Sequence, residues 1–173
     1  MGYRPICDTW LLARPKVKFY GAYPNGFLER ARTMLGCSYE DAILHVCGGK
    51  AKEYPNQGFG PNDKTLDINE DLNPDFIADV TKHPMPEGNW KVILIDPPYT
   101  VGDAFEYGDY PFPMPNELLK KCVEAIPVGR CVGMLHCVIP SVPKNCKEIA
   151  LIGIVMGNNN KIRCFSVFRK MTE

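Results

Sequence analysis

Three short stretches of this chain, "AILHV" (42–46), "KVILI" (91–95) and "CVGMLHCVI" (131–139), are apolar at almost every position. A strand with one wet face alternates apolar and polar residues, because successive side chains point to opposite faces. Runs without alternation therefore predict strands covered on both faces, the habit of a mainly parallel sheet sandwiched between helices.

The remaining segments fit that frame. "NGFLERARTMLG" reads as a helix with Phe27, Leu28, Ala31, Met34 and Leu35 on one face, Asn25 as cap and Gly36 as stop. "KTLDIN" and "DFIADV" read as shorter strands. "NELLKKCVEAI" is a second helix, with Leu118, Leu119, Cys122, Val123 and Ile126 along one side. "EIALIGIVMG" and "KIRCFSVFRK" flank "NNN" and predict a closing antiparallel hairpin. The first 24 residues, rich in proline, tyrosine and basic side chains, read as irregular. No repeat or linker divides residues 1–173, which predicts a single domain, with residues 100–116 as a lid or recognition loop.

Bulk composition narrows the function classes. Twenty Lys and Arg balance 20 Asp and Glu, which argues against an autonomous tight nucleic-acid binder but not against an enzyme that touches nucleic acid briefly. The eight cysteines form no C-x-x-C pair, so reduced thiols are expected and no metal site. No apolar run has membrane-spanning length, and Met1 to Lys18 has no signal-peptide core. A soluble, cytoplasmic protein without a membrane partner is the expectation.

Ligands of parallel sheets bind beyond the carboxyl ends of the strands, where strand order reverses. Those ends carry, in chain order, Gly48-Gly49, Asp67, Asp79 and Asp96-Pro97-Pro98-Tyr99. A glycine turn lets backbone approach a ligand. An acid on the next strand is placed to accept ribose hydroxyls, and a third acid could receive an adenine amino group. Together these serve an adenosine-containing cofactor. His45, just before the turn, reads as a strand residue with a satisfied ring.

With these residues in place, the chain from about Phe19 to Arg169 resembles the Rossmann-like S-adenosylmethionine-dependent amino-methyltransferases whose fourth motif reads D/N-P-P-Y/F/W. The resemblance implies an α/β fold: a mostly parallel sheet with a C-terminal antiparallel hairpin and helices on both faces. It assigns "VCGG" (Cys47, Gly48, Gly49), "LDI" (Asp67, Ile68) and "ADV" (Asp79, Val80) to the cofactor S-adenosyl-L-methionine, with no metal. "FYGAYPNGF", through Tyr23 and Pro24, would lie at the cofactor's methionine end. Asp96, Pro97, Pro98 and Tyr99 would be catalytic, with Asp96 also touching cofactor. Asp96 and the Pro97 carbonyl can accept the two N–H bonds of an exocyclic amino group, freeing its lone pair. Pro-Pro fixes the extended geometry, and Tyr99 offers a face to a flipped base. The implied acceptor is a nucleic-acid base, first adenine N6 in DNA, with RNA the close variant.

Three features depart from the family pattern. At the glycine turn, His45 or Val46 stands where the family usually has an acid, and Lys50 or Ala51 where it has a further glycine. In "KAKEYPNQGFGPND", Pro55, Gly58, Gly60 and Pro61 forbid a long first helix and leave at most a turn from Lys50 to Tyr54. No target-recognition insertion is present, so specificity is expected from a homo-oligomer or a partner subunit. Two readings compete: a catalytically lapsed fold serving as a binding or scaffold subunit, and a methyltransferase of a small molecule or protein side chain.

Overall fold

A computed structural model describes residues 4–14, 23–53, 58–108, 110–157 and 161–173. Its strands are β1 (Ile6–Leu12), β2 (Ile43–Val46), β3 (Lys64–Asp67), β4 (Phe76–Ile77), β5 (Val92–Ile95), β6 (Cys131–His136), β7 (Cys146–Met156) and β8 (Arg163–Lys170). They form one eight-stranded sheet in the order β1-β7-β8-β6-β5-β2-β3-β4. Only β8 runs antiparallel to its neighbours, β6 and β7; every other pairing is parallel. From β2 the chain steps outward to β3 and β4, then returns to lay β5 on the other side of β2. That reversal opens a crevice at the carboxyl ends of β2 and β5.

Every residue of β2, β5 and β6 is buried, as the unbroken apolar runs predict. Their side chains feed two cores by parity. Ile43, Val92 and Leu94 join helix α1 (Phe27–Leu35) on one face, while Leu44, Val46, Ile93 and Ile95 join α3 (Pro115–Ala125) on the other. Helices thus lie on both faces, though few of them. Strand β7 alternates instead, with Ala150, Ile152, Ile154 and Met156 inward. The loop of the predicted hairpin, residues 158–160, lies outside the described residues.

Three expectations are corrected. The first 24 residues are not irregular throughout, since Ile6–Leu12 pairs in parallel with Ala150–Met156 as an edge strand. Helix α1 is entered through Gly26 at φ 77° with no side-chain cap, so Asn25 does not cap it. Its side-chain amide instead donates to the Arg14 carbonyl, and its backbone N–H to that of Ala13. Residues 100–116 are not simply a loop: Thr100 Oγ1 accepts the Asp103 N–H (3.0 Å) and starts α2 (Val101–Tyr107). After β2 the chain makes only a 3₁₀ turn, Ala51–Glu53, in keeping with the single turn allowed there. Tyr54 and Pro55 lie outside the described residues.

Candidate active site

At the carboxyl end of β2, Cys47 has φ 55° and Gly49 φ 51°, so the chain reverses sharply. A Cβ on Gly48 would stand 2.8 Å from the His45 carbonyl oxygen and 3.2 Å from Thr65 Cγ2, whereas one on Gly49 meets nothing within 4 Å. The turn therefore folds tightly onto β2 and β3 at Gly48 and leaves open space at Gly49. Gly48→Ala is expected to cost about 1–3 kcal/mol through overpacking. Gly49→Ala is expected to cost about 1–2 kcal/mol from its left-handed backbone alone. Denaturant midpoints of the two variants measure the difference.

Asp67 closes this turn from β3. Its Oδ2 accepts the Gly49 N–H (2.9 Å) and its Oδ1 the Asn69 N–H (3.1 Å). Burial raises its pKa, with the backbone N–H groups of Asn69 and Gly49 acting against that rise. Asp79, two residues beyond β4, accepts both the Thr81 N–H (2.9 Å) and its hydroxyl (2.6 Å), and pairs with Lys82 at 3.1 Å. Burial pushes its pKa up, but these partners hold it below the usual carboxylate value.

Asp96 follows β5. Tyr99 donates its hydroxyl to Asp96 Oδ1 at 2.8 Å. Burial drives the Asp96 pKa up to about 6 against the opposing pull of Arg163 and the Tyr99 hydroxyl. Burial also moves the Tyr99 and Tyr107 phenols above their ordinary value. Asp67, Asp79 and Asp96 meet around a cavity of about 370 Å³ that is bounded also by Cys47, Gly49, Ile68, Val80 and Pro98. Tyr107, Tyr110, Pro111 and Pro113, from the segment expected as a lid or recognition loop, wall its far side.

No protein-family model matches the sequence, and no curated protein does. Among solved structures, the backbone is similar to that of TrmN from Thermus thermophilus, with a TM-score of 0.60 at 14% identity, covering 88% of this chain and 50% of that one. It is also similar to a SAM dependent methyltransferase from Aquifex aeolicus (TM-score 0.52, 11% identity, 84% of this chain and 90% of that one). An rRNA methylase from Streptococcus thermophilus gives a TM-score of 0.50 at 10% identity, over 84% of this chain and 97% of that one. The chain has the Rossmann-like methyltransferase fold. It spans half the length of the Thermus protein.

Within this methyltransferase fold, not every expected residue reaches the cavity. Tyr23 is buried in the core on the α1 face, stacked on Phe27, with its hydroxyl 3.3 Å from His45 Nδ1. Neither it nor Pro24 lines the cavity, and Phe19 to Ala22 lie outside the described residues. His45 is satisfied as expected, its Nε2 lying 3.2 Å from Asp63 Oδ2. Gly48 and Pro97 are buried behind the cavity wall. Tyr99 does not line the cavity either; the Arg163 guanidinium sits 5.1 Å from its ring centroid and His136 packs edge-to-face at 5.3 Å. His136 and Arg163, which no sequence motif singles out, thus flank the Asp96–Tyr99 turn. Among the described residues, no group of three His, Cys, Asp or Glu could hold a metal ion, and no helix is long and apolar enough to cross a membrane.

Proposed function

We propose that the chain is an S-adenosylmethionine-dependent N-methyltransferase acting on an exocyclic amino group of a nucleic-acid base. One observation carries the reading: Asp96 borders the cavity with Oδ1 engaged by Tyr99 and its second oxygen left for a ligand. The residues fit the cofactor. The cavity volume lies within the usual range for small-molecule sites, its walls offer Ile68, Leu72 and Val80 to a flat ring, and Gly49 leaves room for backbone approach. Asp67 and Asp79 would hold the ribose and adenine ends, Cys47, Ile68 and Val80 the apolar faces.

When bound, S-adenosylmethionine supplies an electrophilic methyl on its sulfonium. The chain's own work is on the acceptor. An exocyclic amino nitrogen shares its lone pair with the ring. Asp96, by accepting an N–H bond, favours a pyramidal nitrogen and aligns it for displacement; the Pro97 carbonyl, expected to accept the second, is buried behind the cavity wall. After transfer the nitrogen sheds a proton, and a carboxylate with a pKa near 6 can take it. The acid at this position favours adenine N6, in DNA by the sequence motif. The likeness to an rRNA methylase sets RNA beside it. A second copy or a partner subunit would select the target.

Calorimetric titration with S-adenosylhomocysteine tests the cofactor half without any guess about the acceptor. Micromolar binding by the wild-type chain is expected. Asp67→Ala is expected to weaken it about tenfold, through lost hydroxyl contacts on the order of 1–3 kcal/mol and a loosened Gly49 turn. No binding by the folded wild-type chain would turn the reading toward a lapsed fold.

A further inference from the structure

Among the described residues, three buried side-chain polar atoms have no hydrogen-bond partner: Asp103 Oδ2, His136 Nε2 and Arg163 Nε. Native structures leave few such atoms, and these three surround a single feature, the Asp96–Tyr99 turn. His136 ends β6 and packs on Tyr99. Arg163 begins β8, next to Cys164, which pairs with His136, and covers the Tyr99 ring. Asp103 lies on α2 just beyond the turn and is tied to Lys161 at 3.6 Å.

The chemistry of the cluster is donor-rich. His136 Nδ1 accepts the Val138 N–H at 2.9 Å, so in the neutral ring the proton sits on Nε2 and points inward. The Pro98 backbone is close enough to act against the lowering of the His136 pKa by burial, yet Nε2 makes no hydrogen bond. Arg163 brings a positive charge and makes no hydrogen bond or ion pair among the described residues, although the Asp96 carboxylate feels its charge across the turn. A half-buried guanidinium whose buried Nε has no hydrogen-bond partner is an incomplete arrangement, and its fork matches the oxygens of a phosphate.

We propose that this side of the catalytic turn is a phosphate subsite, in which Arg163 takes a backbone phosphodiester of the acceptor strand while Asp96 holds the target amino group. His136 positions Tyr99 beneath the guanidinium. One aimed cation in place of a basic face reconciles a chain of zero net charge with a polyanionic acceptor: it fixes register and leaves affinity modest. The proposal rests on the nucleic-acid reading above and names the group that grips the strand.

The test is fluorescence anisotropy of short adenine-containing single strands of DNA and of RNA, with S-adenosylhomocysteine present, over a salt series. Arg163→Gln and Arg163→Lys are compared with wild type. Arg163→Gln is expected to bind about tenfold more weakly, with the slope of log affinity against log salt shallower by about 0.7–1. Arg163→Lys is expected to keep the slope, and both variants to keep wild-type cofactor affinity by calorimetry, which a misfolded variant would not. Equal loss on both strands assigns the contact to the shared phosphodiester, and loss on one alone names the acceptor polymer. An unchanged slope in Arg163→Gln overturns the subsite and leaves the nucleic-acid reading standing. Cofactor binding without strand binding by wild type overturns both.

Discussion

Asp96→Ala and Asp96→Asn are expected to lower methyl transfer by at least about a hundredfold while shifting S-adenosylhomocysteine affinity by less than about threefold. The magnitude is that of removing one pre-placed polar group aimed at a reacting centre. Cofactor affinity is expected to be spared because the role proposed for Asp96 is toward the acceptor nitrogen, and the Gly49 turn is held by Asp67 instead. The same carboxylate predicts a pH profile. With a pKa of about 6, Asp96 is a poor acceptor of N–H bonds below that value, so turnover should climb through pH 6 and level off above it.

Stability should move the other way. The folded pKa of Asp96 is raised above its unfolded value, so between about pH 4 and 6 the folded state binds more protons than the unfolded one. Stability then falls as pH rises across that window. Asp96→Asn carries no charge to bury, and above pH 6 it is expected to be more stable than wild type by on the order of 1–3 kcal/mol. A variant inactive yet harder to melt would separate a catalytic carboxylate from a structural one. Full transfer by Asp96→Ala would remove the assigned mechanism.

The sheet centre was legible because burial on both faces erases alternation, and "AILHV", "KVILI" and "CVGMLH" became β2, β5 and β6. Edge strand β1 escaped because only Trp10 and Leu12 of its seven residues are buried, which leaves almost no pattern to read. Its β-branched and aromatic residues between Pro5 and Pro15 were the available signal. Helix α2 hid in an aromatic, acidic stretch, although Thr100 three residues before Asp103 is a usable cap. Asp67, Asp79 and Asp96 could be found because topology alone places strand ends at a site. Tyr23 could not be separated from a core residue, since an aromatic before a helix serves either role. Arg163 belongs to no motif, yet it shares strand parity with the buried Phe165 and Val167. Arg32 likewise falls one turn after Leu28 on the apolar stripe of α1, where a charge needs a reason.

That reason supplies the largest stability effect expected. Arg32 Nη2 contacts both oxygens of Asp63 (2.5 and 2.6 Å), while its Nε and Nη1 donate to the carbonyls of Gly58, Ser38 and Asp41. Asp63 also accepts the Ile43 and Gly60 N–H groups and contacts His45. This charge pair fastens the Gly58–Asp63 segment to α1 and β2. Asp63→Ala leaves a buried guanidinium and two backbone N–H groups unpaired, and is expected to cost about 3–5 kcal/mol. That is a large part of the roughly 5–15 kcal/mol holding a typical domain together. Arg32→Met paired with Asp63→Leu should recover much of the loss, because replacing both charges removes the uncompensated one. Burial raises the Asp63 pKa, but hydrogen bonds from His45, Arg32 and Gly60 bring it below its usual value. Its contribution is thus complete above about pH 4 and lost as pH falls through the folded pKa. Wild type should show an acid-unfolding limb there that the Arg32→Met, Asp63→Leu chain lacks. Single variants within about 1 kcal/mol of wild type would mean that the segment is held by its glycine and proline backbone, with the ion pair merely accommodated.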